Sequence, residues 1–446
     1  MKNTMLRTCI AAALASTLAA PAALAAPSSA ASSSITLVQA GRLLDRPGKA
    51  PRGPSTLVLR DGKVEAVLDG FVGADKYAGA RIVDLRTRFV LPGLIDSHVH
   101  LTSDRAGQEG QLAGVTDSPA AFAYEAQMNA LKTLRAGFTT VRNLGDGNEG
   151  VTLALRDAIA KGWVQGPRIL DAGAPISTTS GHMDGRLGYA DWVQHGVSQD
   201  NLCDGPESCR KAVRRQIGRG VDVIKIATTG GVNSVVGAGV GRQIFDDEVK
   251  ALVDTAHLYG KKVAVHAHGD EGIKAALAAG ADSIEHGTLL DEAGVKLYLK
   301  SGAYYVPTLS TVNGYKERIA NNPDAYPPAV RAKIDWRIGV TGKALRMAHQ
   351  KGVKIAFGTD AGVSKHGRNA DEFELLVEFG MTPAQAIQAA TVNAAELLGV
   401  GATAGSLEPG KHADLIAVGA DPLADVNVLK NVSFVMKGGQ VVKDEG

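Results

Sequence analysis

Cysteine, aromatic residues and any block of like charge are all scarce in this chain. Only three of its 446 residues are cysteine, aromatics make up 5 %, and the formal net charge is +2. With no Lys/Arg stripe, the charge balance argues against a nucleic-acid binder. No Gly-x-Gly-x-x-Gly turn follows the first strand of the α/β body, which weakens a doubly wound open sheet as the fold. Neither a repeat of fixed period nor a low-complexity tract occurs beyond a Ser/Ala-rich linker near the N-terminus. What is plentiful is glycine, 53 residues of it, which suits many tight strand–helix turns.

The N-terminus reads as an export signal. Lys2 and Arg7 precede the apolar stretch CIAAALASTLAA, and Ala23-Leu24-Ala25 offers small residues around a cleavage point. That stretch is too short and Ala-rich for a membrane span, so no membrane association is expected after cleavage. Residues 1–25 are therefore assigned to the signal and 26–34 to the linker. Cys9 lies within the signal, leaving Cys203 and Cys209 in the mature protein. With five residues between them, in NLCDGPESCR, they are candidates for a small-loop disulfide in an oxidising compartment; a pair of surface thiols is the alternative.

Residues 35–92 alternate in the manner of short strands, with Asp61-Gly62 as a hairpin signal. Residues 401–446 repeat that character in HADLIAVGAD and VSFVMKGGQVV. The expectation is a small β-sandwich built from both ends of the chain. Between them, over 93–400, strand-like runs alternate with Ala-rich amphipathic segments eight times. The runs are LIDSHVHL, FTTVRNLGD, RILDAGAPI, DVIKIATTG, KVAVHAHG, SIEHGT, YYVPTLS and KIAFGTD. The fold class is α/β, and the count points to a (β/α)8 barrel of the TIM type.

Six residues end or follow these apolar runs: His98, His100, Lys225, His266, His286 and Asp360. His98 and His100 are two apart on a strand, so their side chains share a face. Ligating side chains at strand ends, pooled from distant parts of the chain, are what a metal site at a barrel mouth needs. A metal ion held there would lower the pKa of a bound water and polarise a carbonyl. Asp360 is then the catalytic proton carrier, first accepting a proton and later delivering it to a leaving amine.

The segment PGLIDSHVH resembles the amidohydrolase superfamily. So do FGTDAG, Thr391-x-Asn393-Ala394-Ala395 and GSLEPGKHADL. The resemblance runs from about residue 35 to the C-terminus. It is strongest to the branch of exported Xaa-Pro dipeptidases and imidazolonepropionase relatives that includes ochratoxin-hydrolysing amidases. It implies that His98, His100 and Asp360 hold one metal ion and His266 and His286 another, most consistent with Zn2+. Lys225 would bridge them as N6-carboxylysine. For this the amine must first be neutral and then take up CO2, and burial between Ile224 and Ile226 favours neutrality. The resemblance also implies a homo-oligomer acting on a small amide or peptide substrate.

His268 shares a face with His266 and is expected to contact the substrate or polarise its carbonyl, with support of a ligand as the alternative. His182, in TTSGHMDG, is expected to bind substrate from a rim loop. A substrate ending in a carboxylate needs a cation. Arg142 is the first candidate, followed by Arg242, Lys365 and Arg368, each of which could equally be a solvated surface charge. His195, His257, His349, His366 and His412 carry no ligand argument. The function expected is an exported binuclear amidohydrolase acting on dipeptides or N-acyl amino acids, ochratoxin-type amides among them. A hydrolase of cyclic amides, lactones or phosphotriesters is the alternative, and a periplasmic binding protein the third.

Overall fold

The computed structural model describes residues 35–105, 107–145, 150–235 and 239–445. The export signal and linker read at 1–34 lie outside the described residues.

Four strands open the chain: β1 (Ile35–Leu43), β2 (Ser55–Arg60), β3 (Lys63–Asp69) and β4 (Arg81–Pro92). Seven parallel strands follow: β5 (Leu94–Val99), β6 (Phe138–Asn143), β7 (Arg168–Asp171), β8 (Val223–Ala227), β9 (Lys262–Ala267), β10 (Ser283–His286) and β11 (Tyr304–Val306). Three more close the chain: β12 (Leu415–Val418), β13 (Phe434–Lys437) and β14 (Gln440–Asp444).

Apart from β7, where half-buried and buried residues alternate, the parallel strands are short and buried along nearly their whole length, as strands covered on both faces must be. Pairing runs β5–β6–β7 and β8–β9–β10–β11. Isolated parallel bridges complete the ring: Ile176 to Ile226, Tyr305 to Ile355, and Ala361 back to Val99 on β5. Segment 355–361 thus takes the eighth position. Its backbone bonds to β5 and the residue after it: Ser97 N–H to Phe357 O at 2.9 Å, Asp360 N–H to His98 O at 2.8 Å and His100 N–H to Ala361 O at 2.7 Å. The result is the expected closed barrel. Its closing segment is held by single bridges rather than a ladder, since Asp360 has φ +56° and turns the chain out of extended geometry. Gly358 permits the approach: a Cβ there would lie 2.4 Å from Val306 Cγ1 and 3.0 Å from His98 Cβ.

The two chain ends form one seven-stranded sheet in the order β14-β13-β12-β4-β1-β2-β3. Strand β4 joins the halves, antiparallel to β12 and parallel to β1. The sheet rolls back on itself, for Val64 N–H bonds to Lys411 O and Ala413 N–H to Gly62 O. Val38, Leu57, Leu85, Leu415 and Phe434, drawn from both ends, share the core that this encloses.

Candidate active site

The strand ends deliver their side chains to one cavity of about 220 Å³. His98, His100, His182, Lys225, His266, His268, His286 and Asp360 all line it. On one side, His98 Nε2 and His100 Nε2 are 3.3 Å apart, and Asp360 Oδ1 lies 3.5 and 3.3 Å from them. On the other, the ligand atoms of His266, His268 and His286 lie within 4.8 Å of one another, and those of His98, His286 and Asp360 do likewise.

The outer nitrogens fix what the inner ones offer. His100 Nδ1 donates to the carbonyl of Gly145 at 2.8 Å. His286 Nδ1 meets Thr308 Oγ1 at 2.7 Å; since that hydroxyl donates to Pro307 O, it accepts from the imidazole. His98 Nδ1 stands 2.9 Å from the Glu285 carboxylate. In each case Nε2 is left as a bare lone pair facing the cavity, the form that ligates a metal. His266 is held the other way round, Nε2 donating to Gly230 O at 3.3 Å. His268 Nδ1 meets Thr288 Oγ1 at 2.8 Å. Burial keeps four of the rings neutral: it pushes His98 down to about 4 and takes His266, His268 and His286 well below the usual value.

Backbone strain is concentrated here. Among the described residues, five other than glycine have positive φ, and His286, Thr308 and Asp360 are three of them. Such conformations persist only where the surroundings impose them.

Lys225 is 1 % exposed, and its Nζ has no hydrogen-bond partner. Burial lowers its pKa to about 8, against the opposing pull of Glu285 and Asp360. An amine so placed is neutral part of the time near neutral pH and lacks a partner that a carboxyl addition and bound cations would provide. The donor set therefore fits the divalent ions that the sequence leads one to expect. Burial works against the Asp360 carboxylate, but His98, His100 and Lys225 outweigh it and hold its pKa below the usual value.

The His182 ring packs against that of His266, tilted by 33° with centroids 4.1 Å apart, and its Nδ1 is buried without a partner. Arg142 is placed differently from expectation. It is 1 % exposed and does not line the cavity. Its guanidinium donates to Ser97 O at 2.6 Å, Ser283 Oγ at 3.2 Å and Glu285 Oε1 at 2.9 Å. It supports the Glu285 carboxylate behind His98 and has no reach to a substrate. The other cations are also engaged: Arg242 with Asp246, and Lys365 and Arg368 with Glu317. Cys203 and Cys209 are joined by a disulfide, with Cα atoms 4.8 Å apart.

Three supporting residues escape a reading of the sequence. Glu285 is one; burial would raise its pKa, yet Arg142 and His98 hold it at about 2. Asp96 is another. It accepts from His98 N and Thr359 N, both at 3.1 Å, and from Thr359 Oγ1 and Asn369 Nδ2, clamping β5 to the closing segment. His366 is the third, donating from Nε2 to His100 O at 3.0 Å. Their only signal was proximity in sequence to a histidine or aspartate of the cavity, and that alone does not separate them from ordinary core polar groups.

A parallel barrel that gathers histidines and a carboxylate at its strand ends defines a hydrolase with its reaction centre in the barrel mouth. The chain belongs to the amidohydrolase family, whose profile matches residues 89–442. It is 33 % identical to an ochratoxinase of Aspergillus niger over 443 residues, spanning 93 % of this chain and 88 % of that protein. A solved Xaa-Pro dipeptidase with methionine bound in its active site superposes with a TM-score of 0.85 at 41 % identity, covering 92 % of this chain and 99 % of that one. A prolidase solved with N-methylphosphonate-L-proline gives 0.83 at 30 % identity, covering 92 % and 100 %. The protein is a hydrolase acting on amide bonds.

Proposed function

We propose that this chain is an exported, binuclear amidohydrolase that releases an amino acid from dipeptides or N-acyl amino acids. One observation carries the reading: the His98–His100–Asp360 group and the His266–His286 pair face one cavity that also holds the unpartnered Lys225 Nζ. His98, His100 and Asp360 would hold one ion and His266 and His286 the other, with carboxylated Lys225 shared between them. When bound, such ions polarise the substrate carbonyl and acidify water.

The chain's own groups then divide the remaining work. The Asp360 carboxylate, lining the same cavity, accepts the proton of the attacking water. It returns that proton to the nitrogen as the C–N bond breaks, because an unprotonated amide anion leaves poorly. His182 and His268, neutral and lining the same cavity, orient the substrate carbonyl. Export is supported by the basic and apolar N-terminus and by the disulfide, a bond kept in oxidising compartments.

A panel of dipeptides, N-acyl amino acids, lactones and phosphotriesters tests the reading. Turnover is expected on the first two classes, abolished by a chelator and restored by Zn2+. Full activity in metal-free protein, or turnover of lactones or triesters alone, contradicts it.

A further inference from the structure

The wall of the cavity beside His268 comes from the helix Pro328–Val340, where Lys333, Trp336 and Arg337 fall within one turn and share a face. Lys333 Nζ donates to Gly231 O at 2.8 Å and to Ser234 O, fixing the loop after β8 that brings Val232 and Asn233 to the cavity. Trp336 meets His268 edge-on, with ring centroids 6.3 Å apart.

Arg337 lines the cavity itself while only 3 % exposed. Its contacts are long: Nη1 is 3.3 Å from Thr341 Oγ1, and Nη2 is 3.5 Å from the carbonyl oxygens of Pro307 and Thr308. Among the described residues it forms no ion pair, whereas the other buried arginine, Arg142, has a carboxylate of its own. A guanidinium does not give up its proton in a protein. Glu372 and Asp360 act on it from beyond ion-pair distance, so the guanidinium is buried with no carboxylate in contact, a cost that is offset when a ligand brings one. Its planar fork fits a carboxylate through two parallel hydrogen bonds. Of the cations expected to meet a substrate carboxylate, Arg142 is spent beneath the site and Arg242, Lys365 and Arg368 are paired with acidic side chains.

We infer that Arg337 receives the α-carboxylate of the leaving amino acid, so that the enzyme selects amides with a free carboxylate on the amine side over their neutral carboxamides. This rests on the amide hydrolysis proposed above. Arg337 and the proton carrier Asp360 line the same cavity, as they must if one leaving group is to touch both.

The test compares N-acetyl-leucine, -methionine, -phenylalanine and -proline with their carboxamides, in wild type and in Arg337→Met and Arg337→Lys. Wild type should favour the acids on the order of 100-fold in kcat/KM, the size of a buried charge-assisted hydrogen-bond pair. Arg337→Met should lose most of that preference, chiefly through a raised KM on the acids, and Arg337→Lys should fall between. A folded Arg337→Met that keeps the preference overturns the inference and leaves amide hydrolysis standing. Wild type inactive on every amide sinks both. Should Arg337→Met not fold, a crystal of wild type with the product amino acid decides. A carboxylate on the Arg337 fork supports the inference, and one bound elsewhere overturns it.

Discussion

Glu285 receives three partners at once, His98 Nδ1 through Oε2 at 2.9 Å, and Arg142 Nη2 at 2.9 Å and Ser283 Oγ at 2.5 Å through Oε1. The pair beneath the site thereby sets which nitrogen of His98 faces the cavity. Carboxylates that orient a ligating histidine are worth about 10–100-fold in metal affinity or activity. Glu285→Gln is expected to lose that much, read by zinc titration of the stripped protein. Arg142→Met leaves the buried Glu285 carboxylate without its cationic partner, bonded only to His98 and Ser283, so unfolding in urea should show a loss of about 3–5 kcal/mol. Arg142 shows what one sequence does and does not reveal. Its place at the end of a buried strand made it a candidate, but the partner that takes up its charge lies 143 positions away, and no local pattern announces that. Arg337 was illegible for the converse reason: it sits in an ordinary amphipathic helix, and only the fold turns that face towards the site. That the strand-end histidines and Asp360 meet in one cavity was legible because short apolar runs place them.

Glu372 supplies a pH signature at the same scale. Burial pushes its pKa up to about 7 although it accepts from Leu309 N–H at 2.9 Å and Ser310 N–H at 2.7 Å. A carboxyl with a raised folded-state pKa stabilises fully below its unfolded value, and that contribution is lost as pH climbs through the folded one. Between about pH 5 and 7, wild type should therefore lose stability relative to Glu372→Gln, by on the order of 1–3 kcal/mol. Thermal melts of both proteins across that window give the comparison, and parallel curves would contradict the assignment.

Among the elements, the closing segment 355–361 matters most. KIAFGTD reads as a strand from its apolar run, and it does occupy the eighth position. The turn at Asp360 and the tight seam at Gly358 come from packing against His98 and Val306, which the run itself does not encode. Gly358→Ala would drive a methyl into that seam, costing about 1–3 kcal/mol by overpacking and displacing His98. A lowered melting temperature together with weakened zinc binding is the expected result. The disulfide ties the loop at Cys203, whose neighbour Asn201 borders a side pocket of the mouth, to the helix Pro206–Gly218. Reduction should cost about 2 kcal/mol, as expected for so short a loop, and calorimetry with and without reductant checks it.

For the whole molecule, the barrel was legible in the alternation of apolar runs and amphipathic segments, which depends only on local periodicity. That both ends are β-rich was equally plain. Their union through β4 into one sheet was not readable from pattern alone, because pairing between Ile416 and Leu91 spans more than 300 residues and register depends on the partner's face. The claim on which the rest hangs is that this barrel mouth binds two divalent ions with Lys225 shared between them. The most direct measurement is the stoichiometry of zinc taken up by metal-stripped protein, with and without bicarbonate, alongside recovery of amide hydrolysis. The account predicts two ions per chain, with the second ion and full activity both requiring bicarbonate. Full activity with one ion per chain, indifferent to bicarbonate, would contradict it.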